Sequence, residues 1–249
     1  MYRLKQFVKK AEQIEIIPLG DIHYGSSNCN LKYLKSTLQY IADTPNCYMI
    51  GMGDYFDCVI PKDPRFDPSQ EYNLIDESYD VIKKLFEPVK EKILCLLIGN
   101  HEYHLVTDGY ANLANRLATE LRTAYAGFSS FLQVETNEKP VRKIVFYLHH
   151  GWFSGRQVGS KANNIINLMR DYEADCYLVG HSHDLFGIRR VRISFNNTRK
   201  IIFANTGSFL ETATWGTSGY GERAGYPPQK LGVIKLKWYP DKEDIHISE

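Results

Sequence analysis

Seven of the eight histidines in this 249-residue chain stand at or near the ends of apolar runs, most with an acid, an amide or a second histidine beside them. They are His23, His101, His104, His149, His150, His181 and His183. Imidazole nitrogens suit ions such as Zn, Fe and Mn, whereas carboxylate and amide oxygens favour harder metals. The two densest places are Asp21-Ile22-His23 and Gly180-His181-Ser182-His183-Asp184, where ligand types recur two residues apart. Residues two apart on an extended segment point to the same side, so each pair can place two ligands on one cluster. Asp54, Asn100 with His101, and His149 with His150 end three further apolar runs. About seven such ligands are more than one ion needs, and two metals sharing a carboxylate is the natural reading.

Ligands so spread along the chain need strands that end together. The runs 15–19, 47–52, 93–98, 141–148 and Cys176–Val179 read as buried strands, each delivering one ligand group. Helices are expected over 31–42, capped by Asn28 or Asn30 with Leu34, Leu38 and Ile41 on one face, and over 72–86, 110–121 and 161–173. A proline-bearing excursion is expected over 55–71, and a hairpin turn at Asn196-Asn197 between strands 185–195 and 200–204. A loop rich in Gly, Thr and Ser over 206–225 and a last strand over 231–238 complete the chain. Strands alternate with helices in the first half and dominate the second, which suggests a layered α/β sandwich of mixed sheets in one domain. In open α/β sheets, sites form at the carboxyl ends of strands, so all five ligand groups can meet in one cleft.

Bulk properties set limits on partners. A net charge of +1 gives no overall pull toward nucleic acid or anionic membrane. No run approaches the roughly 20 apolar residues of a membrane span, and Met1-Tyr2-Arg3-Leu4-Lys5 has no apolar signal region, so a cytoplasmic protein is expected. Five cysteines (Cys29, Cys47, Cys58, Cys95 and Cys176) without CxxC spacing are expected to be reduced, with neither disulfides nor structural zinc.

The ordered set Asp21-Ile22-His23, Gly53-Asp54-Tyr55-Phe56-Asp57, Gly99-Asn100-His101-Glu102, His149-His150-Gly151 and Gly180-His181-Ser182-His183 resembles the calcineurin-like metallophosphoesterase superfamily. Asn205-Thr206-Gly207-Ser208 resembles a further segment of it. The resemblance implies a four-layer αββα sandwich of two mixed sheets flanked by helices. It also implies two divalent metal ions, with Mn2+ expected and Fe, Zn, Mg or Ni as alternatives. Asp21, His23 and His183 would hold one metal, Asn100, His149 and His181 the other, and Asp54 would bridge. His149 and His150 point to opposite faces if the strand continues; relatives with His-x-Gly here use the first, so His149 is expected. A metal-bound hydroxide would be the nucleophile. His101 would be the catalytic histidine, with Asp57 orienting its ring. Glu102 would either support a ligand or face solvent, and Tyr103 and His104 would pack locally.

The implied activity is hydrolysis of a phosphodiester or phosphomonoester. The protein phosphatases of the superfamily continue the second motif with Arg-Gly, whereas this chain has Cys58-Val59, which argues against a phosphoprotein substrate. The chain also lacks room for the appended domains of nucleotidases, which leaves small phosphodiesterases and, as runner-up, a DNA exo- or endonuclease core. A fold-keeping scaffold without chemistry is a third reading, disfavoured because no ligand is missing. Arg156 and Lys161 could meet a substrate phosphate, Trp152 and Phe153 a base, and Arg189, Arg190, Arg192, Arg199 and Lys200 a nucleic acid backbone. Each of these also reads as an ordinary solvated or packed surface.

Overall fold

A computed structural model describes residues 1–61, 63, 66, 74–152, 157–195, 198–212 and 227–248. The first half runs β1 (Tyr2–Val8), β2 (Ile14–Leu19), α1 (Leu31–Asp43), β3 (Cys47–Gly51), α2 (Ile75–Phe86), β4 (Ile93–Leu97), α3 (Asn100–Thr107), α4 (Leu113–Glu120) and β5 (Tyr125–Gly127). The second runs β6 (Ser129–Thr136), β7 (Lys143–His149), α5 (Val158–Asn167), β8 (Cys176–Val179), β9 (Leu185–Ile193), β10 (Thr198–Ser208), β11 (Gly232–Val233), β12 (Lys235–Tyr239) and β13 (Asp244–Ser248). One sheet has the order β13-β12-β2-β3-β4-β5; the other has β1-β6-β7-β8-β10-β11, with β9 also paired to β10. Both sheets are mixed: β2, β3 and β4 pair in parallel while β12 joins β2 antiparallel, and β7, β8 and β10 pair in parallel while β6 joins β7 antiparallel.

Three apolar layers hold these sheets. Ile16, Ile50, Met52, Leu97, Phe146, Leu148, Leu178 and Ala204 fill the space between the sheets. Ile17, Leu19, Met49 and Leu96 face outward onto Leu34 and Ile41 of α1, Tyr79 and Phe86 of α2 and Leu117 of α4. On the opposite side Tyr147, Tyr177, Ile201 and Phe203 lie under Ile165 and Leu168. This is the expected αββα sandwich of two mixed sheets. Strands covered on both faces carry unbroken apolar runs, which is why β2 is buried at all six positions and β4 at all five.

Several local expectations are corrected. Asn30 is the cap of α1, its side chain accepting from the Tyr33 N–H. The helix expected over 110–121 begins at Leu113, and the Asn-His-Glu turn opens α3, whose cap is Gly99. The helix expected over 161–173 covers Val158–Asn167 and tightens into a 3-10 turn over Leu168–Arg170. Thr206, Gly207 and Ser208 belong to β10 and not to a loop. The strands β1, β5 and β13 went unread because they are short or alternate polar and apolar residues on a sheet edge. Asn196-Asn197, Phe153, Arg156, Pro64, Pro68 and the stretch 213–226 lie outside the described residues. No helix among the described residues is long and apolar enough to cross a membrane.

Candidate metal centre

The five ligand-bearing segments converge at the ends of β2, β3, β4, β7 and β8. The loops after β2 and β3 are stitched together by the backbone: Asp21 N–H donates to Gly53 O (2.9 Å), and Ile22 and His23 N–H both donate to Asp54 O (2.8 and 3.0 Å). Asp21, His23, Asp54, His181 and His183 all adopt positive φ, between 49° and 67°. The same-side placement of Asp21 with His23 and of His181 with His183 therefore arises from left-handed turns past the strand ends, not from continued extension. Left-handed backbone costs an L-residue on the order of 1 kcal/mol each, and strain gathered in one place marks function.

Gly53 is required by the same geometry. Its φ is +92°, and a Cβ there would stand 2.6 Å from Gly99 N and 2.8 Å from His150 Nδ1.

Each central carboxylate is gripped through one oxygen and left bare at the other. Asp54 Oδ1 accepts from His101 N–H, and Asp21 Oδ2 accepts from His181 N–H, both at 2.9 Å. Asp54 Oδ2 and Asp21 Oδ1 are buried with no hydrogen-bond partner among the described residues. Imidazoles crowd these bare oxygens. His183 Nε2 lies 3.4 Å from Asp21 Oδ1. His150 Nε2 lies 3.3 Å from Asp54 Oδ2, and the Nε2 atoms of His23 and His101 each lie 3.8 Å from it. His23 Nε2 and His183 Nε2 face one another at 3.0 Å, and Asn100 Oδ1 lies 2.8 Å from His150 Nε2 and 2.7 Å from His181 Nδ1. Three overlapping groups of metal-competent atoms result: Asp21–His23–His183, His23–Asp54–His101 and Asp54–His150–His181. Orphaned buried oxygens ringed by converging nitrogens fit divalent cations.

At the β7 end the structure departs from expectation. His150, not His149, enters the cluster. His150 is fully buried, and its Nδ1 lies 2.8 Å from the carbonyl of Met52, an acceptor, so Nδ1 carries a proton and Nε2 faces the cluster. His149 lies on the other face of β7, where its Nδ1 accepts from Gly151 N–H (2.8 Å) and its ring meets Trp152 edge-on at 4.6 Å. Burial and then the charge of His150 lower its pKa to about 4.

The other sequence candidates fall in four places. His101 Nδ1 lies 2.8 Å from the backbone O of Asp57 and 3.3 Å from its Oδ1, leaving Nε2 toward the cleft. Glu102 is fully buried and binds the second motif to the third, accepting from the N–H groups of Gly99 (3.0 Å), Asp54 (3.0 Å), Tyr55 (2.5 Å) and Phe56 (3.2 Å). Tyr103 packs edge-on against Phe128, and His104 is exposed on α3 outside the ligand groups. The Asn205–Ser208 stretch braces the loops, with Ser208 Oγ donating to Asp21 O (2.9 Å) and Asn205 Nδ2 donating to Ser182 Oγ. Its resemblance to a family segment was the one signal in the sequence for that role.

Charge coupling prepares the cluster for cations. Burial pushes His23 down, but the nearby carboxylates of Asp21 (3.8 Å), Asp57 (3.6 Å) and Asp54 (3.8 Å) outweigh it and raise the pKa to about 10. Burial also opposes His150, whose pKa the charge of Asp54, 3.3 Å from its Nε2, raises to about 9. Asp21 and Asp54 stay well below the ordinary carboxylate range despite burial, Asp21 through His183 and His23 and Asp54 through His101 and His150. With raised pKa values, His23 and His150 hold their protons through neutral pH until a metal displaces them. Metal uptake at pH 7 is expected to release about two protons per chain. Affinity should rise with pH until His23, the more basic of the two, loses its proton near pH 10. Calorimetric titration in buffers of different ionisation enthalpy measures this; heats that do not depend on the buffer would contradict it.

Residues 14–185 match the model of the calcineurin-like phosphoesterase family, more than half of the 249 residues. The chain belongs to that family. Among solved structures, it is similar to a metallophosphoesterase from Sphaerobacter thermophilus at 14% identity, covering 95% of this chain and 89% of that one with a TM-score of 0.42. It is also similar to a predicted phosphoesterase from Streptococcus pneumoniae TIGR4 at 15% identity, covering 92% and 85% with a TM-score of 0.39. A third is Vps29 complexed with zinc from Entamoeba histolytica, at 11% identity, covering 94% and 97% with a TM-score of 0.41. No curated protein matches the chain by sequence.

Proposed function

We propose that this chain is a single-domain, dinuclear metal-dependent phosphoesterase that hydrolyses a phosphodiester in preference to a phosphoprotein, with Mn2+ as its working metal pair. The observation that carries this reading is the bare, buried Oδ2 of Asp54, a member of two ligand groups at once. Asp21, His23 and His183 would hold one metal, Asn100, His150 and His181 the other, with Asp54 shared. Such a pair supplies Lewis acidity to the phosphoryl oxygens and an activated water.

The chain's own residues supply the rest. Asp57 fixes the His101 ring through Nδ1, so that Nε2 can hand a proton to the leaving oxygen. Burial would raise the Asp57 carboxyl, but the imidazoles of His101 (3.3 Å) and His23 (3.6 Å) keep it ionised and acting only as an acceptor. Retention of His101 in this position favours chemistry over a purely structural role. None of the five cysteines is joined in a disulfide, which fits a reducing cytoplasm.

The nuclease reading loses support at β9 and β10. Arg199 pairs with Glu173 and Asp175, Lys200 with Asp244 and Arg192 with Glu173, while Arg189 donates to the Ile247 carbonyl. Binding a nucleic acid backbone there would require these groups to leave their partners.

The test is turnover of bis(p-nitrophenyl) phosphate and p-nitrophenyl phosphate with added Mn2+. His101→Ala is expected to lose about 10²–10⁴-fold in turnover at unchanged metal content, the usual scale of general acid catalysis. Metal-independent turnover, or a His101→Ala variant as active as the parent, would sink the proposal.

A further inference from the structure

Helix α5 buries two side chains, Lys161 and Ile165, one turn apart on the face turned to the sheet. A lysine in such a place is unusual, because burial of an ammonium is costly unless it is paired and hydrogen-bonded. Lys161 is 4% exposed, and its Nζ pairs with Asp184 Oδ2 and donates to Ser182 O at 3.4 Å. A second donor reaches the same two residues from the segment before β11: Gln229 Nε2 donates to Ser182 O (3.2 Å) and to Asp184 Oδ1 (3.3 Å). Ser182 and Asp184 flank His183, whose φ is +59° and whose Nε2 faces His23 Nε2. Further bonds tie the same neighbours, since Gly207 N–H donates to Asp184 O and Asn205 to the Ser182 hydroxyl.

We infer that Lys161 and Gln229 clamp both sides of His183 and so set the metal affinity of the Asp21–His23–His183 half of the centre. Two arguments carry this. An ion pair buried under a helix adds little net stability over an apolar pair of equal size, so its retention calls for another role. The contacts fall on the residues before and after one ligand, where they oppose relaxation of its left-handed backbone. His181 is positioned separately, its N–H held by Asp21 Oδ2 and its ring beside Asn100. Ser182 adjoins His181 as well, but Asp184 adjoins His183 alone, so the clamp bears chiefly on the His183 half. The inference rests on the dinuclear reading above.

The experiment titrates the metal-free full chain with Mn2+ by calorimetry and measures bound metal after dialysis, for the parent, Lys161→Met and Gln229→Leu. The parent is expected to take up two ions; uptake of fewer would defeat the dinuclear reading itself. Residues supporting a metal ligand typically govern affinity by 10–100-fold. Lys161→Met is expected to weaken one of the two binding steps by about that factor, and Gln229→Leu to weaken the same step by several-fold, with the other step within about threefold of the parent. A variant that melts earlier yet binds both ions as the parent does would overturn the clamp, as would equal weakening of both steps. Should Lys161→Met fail to fold, Gln229→Leu, whose side chain is only half-buried at a loop, decides by the same criteria.

Discussion

Asp54→Ala is expected to empty both halves of the centre at once. The bare Oδ2 belongs to two ligand groups, and among the described residues Asp54 is the one that joins the His150–His181 group to the group of His23 and His101. Metal content after dialysis against Mn2+ should fall from two ions per chain to below one. Turnover should drop by on the order of 10³-fold or more, equivalent to about 4 kcal/mol of transition-state stabilisation. Thermal unfolding gives an independent reading. At 100 times the dissociation constant, an ion that binds only the folded state adds about 2.7 kcal/mol. The parent should show this Mn2+-dependent rise in melting temperature and the variant should lose it. Asp21→Ala, by contrast, removes a ligand from one group alone and should leave one ion bound. An Asp54→Ala chain that still carried two ions would show that the carboxylate is not shared.

The second large effect separates adjacent histidines. His150→Ala removes a fully buried ring whose Nε2 faces both Asp54 and Asn100. The ion on that side should be lost, with turnover falling about 10²–10³-fold, since Lewis-acid stabilisation is worth several kcal/mol. His149→Ala removes a ring that accepts one backbone N–H and packs on Trp152. Loss of such a hydrogen bond costs about 1 kcal/mol of stability, and metal content should not change. Metal analysis of the two variants side by side checks both statements. The reverse pattern, with His149→Ala empty and His150→Ala loaded, would overturn the placement of the ring in the cluster.

The reason this position could not be read from sequence lies in how β7 is buried. A strand with one wet face alternates, and alternation would have told which of His149 and His150 turns inward. Phe146 and Leu148 fill the space between the sheets while Tyr147 packs under α5, so the run is apolar on both faces and its parity is hidden. Tyr147 gave the faint clue, because a phenol suits the helix-covered face better than the centre of a sandwich, and His149 shares its parity. Glu102 was unreadable for a related reason. A carboxylate that accepts four backbone N–H groups from two separate loops has no pattern in the chain, since three of those donors lie more than 45 residues away. Lys161 looked like a surface cation for the same reason, its partner Asp184 being 23 residues further on.

What the sequence determined by itself was the class of chemistry and the placement of its parts. Buried strand-length runs each ending in Asp, Asn or His require those ligands to emerge at strand ends, and parallel strands bring their ends to one edge. That much named Asp21, His23, Asp54, Asn100, His181 and His183 as one cluster and a layered α/β sandwich of mixed sheets as its frame, while the four αββα layers were implied by the family resemblance. Only the tertiary structure decided which neighbour of each pair faces inward and how the Gly-His-Ser-His turn is held. It also showed that Asp21, His23, His181 and His183 reach the centre from left-handed backbone instead of extended strand. Those features depend on contacts between distant segments and on strain the rest of the fold must oppose, and neither leaves a local trace in residue type or spacing.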